Sequence, residues 1–327
     1  AIDSITSVPE TVFIKNGIYK ERVEIHKDNI TLIGENADGT VITNNYYAFM
    51  PMEDGSKRGT FRSYTFFVQA NHFNAYNITF ENSAGFGKKV GQAIAVYAEG
   101  DDLVFKNCHM LGHQDTLFTG PLPPEEYEPG GFRGPTESAP RINGRQYYKN
   151  CYICGDIDFI FGSATAYFEN CVIESLCLTT NVNDIQGYIT AASTPESQEY
   201  GYVFSNCKLI SKDCPPNSVY LGRPWRNYAK TVFLECALGN HIHECGFHDW
   251  KKEDARNTVL YAEYRNYPAS SADTTSNNRS LNDDIHCIDG RCIPYPHRAE
   301  YVCELDAVQA EHFSKENVLS GADYWNP

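Results

Sequence analysis

An aromatic residue, one variable residue, then Asn or Glu and usually Cys recurs six times along this chain of 327 residues. The phrase reads Phe80-Glu81-Asn82-Ser83, Phe105-Lys106-Asn107-Cys108, Tyr148-Lys149-Asn150-Cys151, Phe168-Glu169-Asn170-Cys171, Phe204-Ser205-Asn206-Cys207 and, more loosely, Phe233-Leu234-Glu235-Cys236. Its fourth positions fall 25, 43, 20, 36 and 29 residues apart, the uneven spacing of a solenoid with loops inserted between its repeats. Short runs rich in β-branched and aromatic residues surround each phrase, such as Thr231-Val232-Phe233-Leu234, and read as strands of about four to six residues punctuated by Gly and Asn. No segment between Phe61 and Asn240 has the apolar spacing of a long amphipathic helix. The pattern predicts an all-β, single-stranded parallel β-helix, with coils stacked about 4.8 Å apart so that equivalent side chains form ladders.

The repeat divides the twelve cysteines. Cys108, Cys151, Cys171, Cys207 and Cys236 share the fourth position of the phrase, and small polarizable side chains there suit a packed interior; parallel neighbours need not meet disulfide geometry. Cys154, Cys177, Cys214, Cys245, Cys287, Cys292 and Cys303 lie in loops and the tail and are the candidates for disulfide bonds, Cys287 and Cys292 forming the most local pair. Only Cys151 and Cys154 show CxxC spacing, without the second pair that structural zinc requires. An even number of cysteines points to an oxidising, extracellular compartment. The sequons at Asn29, Asn77 and Asn278 agree with secretion, although Asn77 sits in an apolar, strand-like run poorly placed for a glycan.

Composition excludes several classes of partner. Acidic residues outnumber basic ones 42 to 27, a net charge of −15, which repels nucleic acid and anionic membranes. No uncharged apolar run approaches the ~18 residues of a membrane span. A start at Ala1, with neither Met nor an apolar leader, reads as a mature or trimmed soluble chain. The length alone allows two domains, but the repeat predicts one, over residues 1–327, with an insertion at about 119–143 and a tail at about 268–327. Residues 1–10 are expected to end a helix capping the first coil's open edge, 268–279 to form a surface loop, and 305–313 a short helix.

Five segments carry residue types that a scaffold does not need: Gly17-Ile18-Tyr19-Lys20-Glu21, Gly91-Gln92-Ala93-Ile94-Ala95, Gly112-His113-Gln114-Asp115-Thr116-Leu117, Asp156-Ile157-Asp158-Phe159-Ile160-Phe161-Gly162 and Leu221-Gly222-Arg223-Pro224-Trp225. Singly, an Asp in a turn is a cap and a Gln on a strand a ladder hydrogen-bonder. Together they describe a reaction centre. Asp115 and Asp158 flank the Tyr148-Lys149-Asn150-Cys151 phrase, so they lie one solenoid step apart and can project into one groove. Two close carboxylates cannot both ionise cheaply, which leaves one a proton donor and the other an anion. Arg223 on a later coil is the partner expected to hold the anionic member down. Glycosidases also use two carboxylates, but an ester passes through an oxyanion that neutral donors stabilise, each worth about 3 kcal/mol; Gln92 and Gln114 therefore favour acyl chemistry. No GxSxG elbow and no Cys–His motif offers another nucleophile.

In order and spacing these segments resemble the signature blocks of the pectin methylesterase (pectinesterase) family: GxYxE, QAxAL, G[YH]QDTL, DFIFG and LGRPW. Agreement extends to Ile30-Thr31-Leu32-Ile33-Gly34, Asn82-Ser83-Ala84-Gly85, Tyr261-Ala262-Glu263-Tyr264-Arg265-Asn266 and the closing Gly321-Ala322-Asp323-Tyr324-Trp325-Asn326-Pro327. The resemblance implies a right-handed parallel β-helix, hydrolysis of methyl esters of galacturonate in methyl-esterified pectin without metal or cofactor, and a secreted, monomeric enzyme. It makes Asp158 the nucleophile, Asp115 the proton donor and then base, Gln114 and Gln92 the oxyanion donors and Arg223 the partner of Asp158. Trp225, Thr60, Phe161 and Phe118 would contact substrate, Phe118 replacing a Tyr found in many members.

Departures are few. Val96 stands where the QAxAL block has Leu, residues that open the first coil in the family are expected ahead of Ala1, and the insertion carries Glu125, Glu126, Glu128 and Glu137 with Pro-Pro and Gly-Gly pairs, which places it on the groove's rim. Two other classes compete. A pectin-depolymerising glycoside hydrolase would use Asp101-Asp102, without the His-Gly and Arg-x-Lys segments such enzymes carry; a non-catalytic polysaccharide-binding β-helix would not need Asp115, Asp158 and the glutamines. The acidic balance also predicts scattered demethylation, because the enzyme and its anionic product repel.

Overall fold

The computed structural model describes residues 9–269 and 298–327. The capping helix, nearly all of the 268–279 loop, the Cys287–Cys292 pair and the Asn278 sequon lie outside the described residues; Glu10 itself already belongs to the first strand, Glu10–Ile14.

The described residues form three parallel sheets of ten, nine and seven strands. In each, neighbouring strands come from successive coils: in the ten-stranded sheet Leu103–Lys106 pairs with Arg145–Lys149, followed in turn by Thr165–Glu169, Tyr202–Ser205 and Lys230–Leu234. The chain is thus an all-β parallel β-helix, as the repeat predicts, and right-handed, as the resemblance implies. Helices are short: Gly87–Val90, Glu253–Arg256, Ala307–Glu311 and Lys315–Leu319. Among the described residues no helix is long and apolar enough to cross a membrane.

The recurring phrase is the corner between the ten- and nine-stranded sheets. Asn107, Asn150, Asn170 and Asn206 take φ of 55°, 53°, 54° and 53°, a left-handed turn that a short polar side chain tolerates and a branched one does not. Successive side-chain amides also bond along the axis, Asn150 Nδ2 to Asn107 Oδ1 at 3.2 Å and Asn107 Nδ2 to Asn77 Oδ1 at 3.3 Å. Asn77, at φ 56°, is therefore a corner rather than a strand residue. It also corrects the phase of the first phrase. Phe80 pairs with Met110 in the nine-stranded sheet, and the corner preceding Asn107 is Asn77, so Phe80-Glu81-Asn82-Ser83 matches the motif without being a repeat.

The aromatic of each phrase points inward. Phe105, Tyr148, Phe168, Phe204 and Phe233 stack with centroids 5.2, 4.6, 4.4 and 4.6 Å apart and planes within 10°, and Cys108, Cys151, Cys171, Cys207 and Cys236 are buried beside them. Each thiol donates to a carbonyl of the preceding coil, at 3.3 Å for Cys151 to Phe105 and 3.4 Å for Cys171 to Tyr148, which satisfies a weak donor without a bridge. No disulfide joins the described residues, so the bridges expected of the loop and tail cysteines are not formed there. Cys177 instead donates to Thr179 O at 3.0 Å, and Cys154 lies buried within the strand Tyr152–Gly155. The C-terminal helices cover the outer face of the ten-stranded sheet, where Ala310, Phe313, Val318 and Leu319 pack on Val104, Tyr147, Tyr167 and Val203.

Candidate active site

The outer face of the seven-stranded sheet gathers the predicted residues. Five of its strands, in order from the inside to one edge, are Val96–Glu99, Leu117–Thr119, Ile157–Gly162, Gly187–Ala192 and Val219–Gly222. Leu117 and Ile160 face the interior, while Tyr97, Phe118 and Phe161, in register with one another, face outward into a separate apolar cluster. Gly162 lets these strands approach: a Cβ there, at φ 129°, would stand 2.1 Å from Thr119 O.

Asp115 precedes one strand and Asp158 lies near the start of the next. The Asp115 N–H donates to Ile157 O at 3.0 Å, which sets the two on adjacent coils as their spacing predicts. Both are left-handed, at φ 66° and 50°, and the register slips between Ile157 and Ile160, a bulge that re-aims the Asp158 side chain. Arg223 grips Asp158 with both arms, Nε to Oδ1 at 2.8 Å and Nη2 to Oδ2 at 2.7 Å. Burial pushes the Asp158 carboxyl above its ordinary range, with Arg223's charge and hydrogen bonds pulling against it. At Asp115, burial and then the charge of Asp158 push the carboxyl well above its ordinary range. Arg223 thus acts as expected in direction but does not outweigh burial. The two carboxyls are thus unequal: Asp115 is pushed further toward the protonated form, while Asp158 alone has a guanidinium bound to both its oxygens.

Gln114 and Gln92 follow one another across the coils, the Ala93 N–H donating to Gln114 O at 3.0 Å. Neither side-chain amide has a hydrogen-bond partner among the described residues, so both are available to a ligand. Gly87 packs against Gln114, where a Cβ would meet its Oε1 at 2.4 Å. Thr60 opens a short 3-10 turn, Thr60–Arg62, whose Ser63 hydroxyl accepts the Ile94 N–H at 3.1 Å. This ties the Thr60 and Gln92 segments together. Asn82, not assigned a role from sequence, holds the same loops by donating to carbonyls of Tyr46, Ser63 and Ile94 at 2.9, 3.0 and 3.0 Å.

Trp225 is half-exposed, but Phe118 and Phe161 are buried. They lie in one apolar cluster with Phe61, Leu122 and Phe132 instead of lining an open groove, Phe61 standing 5.1 Å from Phe118 and Trp225 5.7 Å from Phe161 between ring centroids. Sequence also gave no role to Tyr188 and Trp250, whose ring centroids stand 3.9 and 3.7 Å from the Arg223 guanidinium carbon on its open sides. Strand register was the available signal for Tyr188, which pairs with Ile157; Trp250 sits in a loop with none. The fully buried Asp156 carboxylate accepts from His113 Nδ1 at 3.0 Å, bracing the segment that bears Gln114. Asp101 and Asp102 are elsewhere: Arg145 binds both, at 2.6 and 2.7 Å, together with Asp323 at 2.7 Å, and so fastens the C-terminal segment.

A family model described as pectinesterase matches residues 1–121 and 140–283. A relative from Arabidopsis thaliana, described as probable pectinesterase/pectinesterase inhibitor 13, is 33% identical over 84% of this chain and 42% of its own length. The chain thus spans less than half the length of that relative. The structure of a pectin methylesterase from Yersinia enterocolitica is similar with a TM-score of 0.75 and 27% identity, over 100% of this chain and 98% of that one. A pectin methylesterase in complex with a hexasaccharide is similar with a TM-score of 0.74 and 28% identity, over 100% of this chain and 93% of that one.

Proposed function

The chain belongs to the pectinesterase family, and on that premise we propose that it hydrolyses methyl esters of galacturonate units in pectin, releasing methanol. The carrying observation is the divided carboxyl pair: Asp158 clamped by Arg223, with a proton-retaining Asp115 one coil away. Asp158 attacks the C6 carbonyl, and the negative charge that develops on its oxygen is met by the amides of Gln92 and Gln114. Asp115 gives its proton to the departing methoxy oxygen, so methanol leaves and an acyl-enzyme remains. The resulting Asp115 carboxylate takes a proton from water, whose oxygen attacks the acyl carbon and frees the galacturonate acid and Asp158. Trp225 and Thr60 contact the sugar chain, and the similarity to a pectin methylesterase in complex with a hexasaccharide supports an oligosaccharide as ligand.

On this reading residues 1–327 act as one unit, monomeric and extracellular, on methyl-esterified homogalacturonan. Asp101 and Asp102 are engaged by Arg145, which leaves the glycoside-hydrolase alternative without its acidic pair. Methanol release from highly methylated pectin, undiminished by a chelator, is the expected result. In Asp158→Asn, release should fall by about four orders of magnitude while near-ultraviolet circular dichroism stays that of the parent. A protein that shortens the polymer without releasing methanol, or an Asp158→Asn variant that keeps its rate, would overturn the proposal.

A further inference from the structure

One fully buried carboxylate beside the site takes no part in the reaction above. Asp156 lies two residues before Asp158, as His113 lies two residues before Asp115. The two are joined twice: the Asp156 N–H donates to His113 O at 3.2 Å, and His113 Nδ1 donates to Asp156 Oδ2 at 3.0 Å. The Ile157 N–H donates to the other oxygen, Oδ1, at 2.7 Å, and the Tyr188 N–H to Asp156 O at 3.1 Å. The Asp156 side chain is 0% exposed, and Phe86 packs on the imidazole of His113 with ring centroids 4.3 Å apart.

A carboxylate buried close to two more carboxyls costs the fold stability, and such a cost points to a role in the chemistry. The charge of Asp156 is felt by both site carboxyls. At Asp115 it adds to the upward push of burial and of Asp158, against the pull of Arg223; at Asp158 it adds to burial, against Arg223 and Lys252. The neutral groups facing these carboxyls are the Cys214 thiol toward Asp156 and the Tyr188 and Tyr261 phenols toward Asp158, all pushed up by burial. Resting on the esterase reading above, we propose that Asp156, held in place by His113, is a positioning residue: its negative charge keeps the proton on Asp115 until methanol leaves, and so sets the pH range of the reaction.

The test is the pH profile of kcat/KM, read as methanol release. Its acid limb follows protonation of Asp158 and its alkaline limb loss of the Asp115 proton, both as properties of the pair. A like charge raises a neighbouring carboxyl's pKa, so removing it lowers that pKa. Asp156→Asn should therefore move both limbs to lower pH by about one unit, with the rate at the optimum largely kept; at a fixed pH on the alkaline limb this is a loss of about tenfold. Asp156→Thr, whose hydroxyl can accept the Ile157 N–H and whose shape suits a strand, should shift the profile alike and decides the matter if the Asn variant does not fold. His113→Asn keeps the Asp156 charge and an amide donor, and should leave the alkaline limb in place. Folded Asp156 variants that lose rate equally at every pH, with both limbs unmoved, would make Asp156 structural and overturn the proposal; so would an alkaline limb that moves as far in His113→Asn. Failure of the esterase reading looks different: no methanol from the parent at any pH.

Discussion

Glu99 lies beneath the insertion at 6% exposure, near the Tyr97 hydroxyl at 3.5 Å and the charge of Arg141. Burial pushes its carboxyl up to about 7 from an ordinary value of 4.5. A raised folded-state pKa means that the protonated carboxyl is the better folded form. Its contribution is whole below about pH 4.5 and is lost as pH rises through about 7, a change of ~3 kcal/mol. Glu99→Gln should flatten the stability profile across that window, measured by denaturant unfolding at a series of pH values; a variant with the parent's pH dependence would assign the slope to another group. Asp115 obeys the same burial logic for a different end. Sequence spacing located both site carboxylates, but only their depth shows that Arg223 softens, without reversing, the upward pressure on Asp158.

At the scale of the element, the corner residue governs each coil. The left-handed backbone at Asn170, φ 54°, is a conformation in which a Cβ-bearing residue without a local hydrogen bond is strained by about 1–2 kcal/mol. Asn170→Ala should therefore lower the urea-unfolding free energy by about that amount, and Asn170→Gly by much less; equal losses would trace the effect to lost side-chain bonds instead of backbone strain. The same backbone state at Asp115 and Asp158 explains how carboxylates occupy positions in or beside strands, where a branched residue would not fit. Five of the six phrases marked real corners because the left-handed turn selects Asn and the interior selects Cys. Phe80-Glu81-Asn82-Ser83 misled because an identical short pattern also serves a strand whose Asn82 amide binds three carbonyls.

For the whole molecule, the net charge of −15 and the local charge at the site diverge. Arg223, Arg226 and Lys252 stand at the Trp225 end of the site, Lys252 Nζ donating to Pro224 O at 2.8 Å. Arg223 is neutralised by Asp158, so the molecule's overall field still repels a de-esterified chain. Partly digested pectin should consequently carry scattered free acids at low ionic strength, and long demethylated blocks in an ester map would show that the local cations dominate. Screening shortens the field's reach to about 10 Å at 0.1 M salt, so adding salt should move the pattern toward blocks.

Legible in the residues alone were the solenoid, its ladder of aromatics and thiols, and the grouping of Asp115, Asp158, Gln92, Gln114 and Arg223. A repeat converts distance along the chain into stacking along an axis, so local pattern carries long-range information. Folding was needed to place Tyr188 and Trp250 against Arg223, the C-terminal helices on the ten-stranded sheet, and Leu122 and Phe132 in one apolar cluster with Phe118 and Phe161. Those contacts join segments outside the repeat, where spacing is arbitrary, and the surfaces that bury apolar area against each other are known only once the coils are stacked.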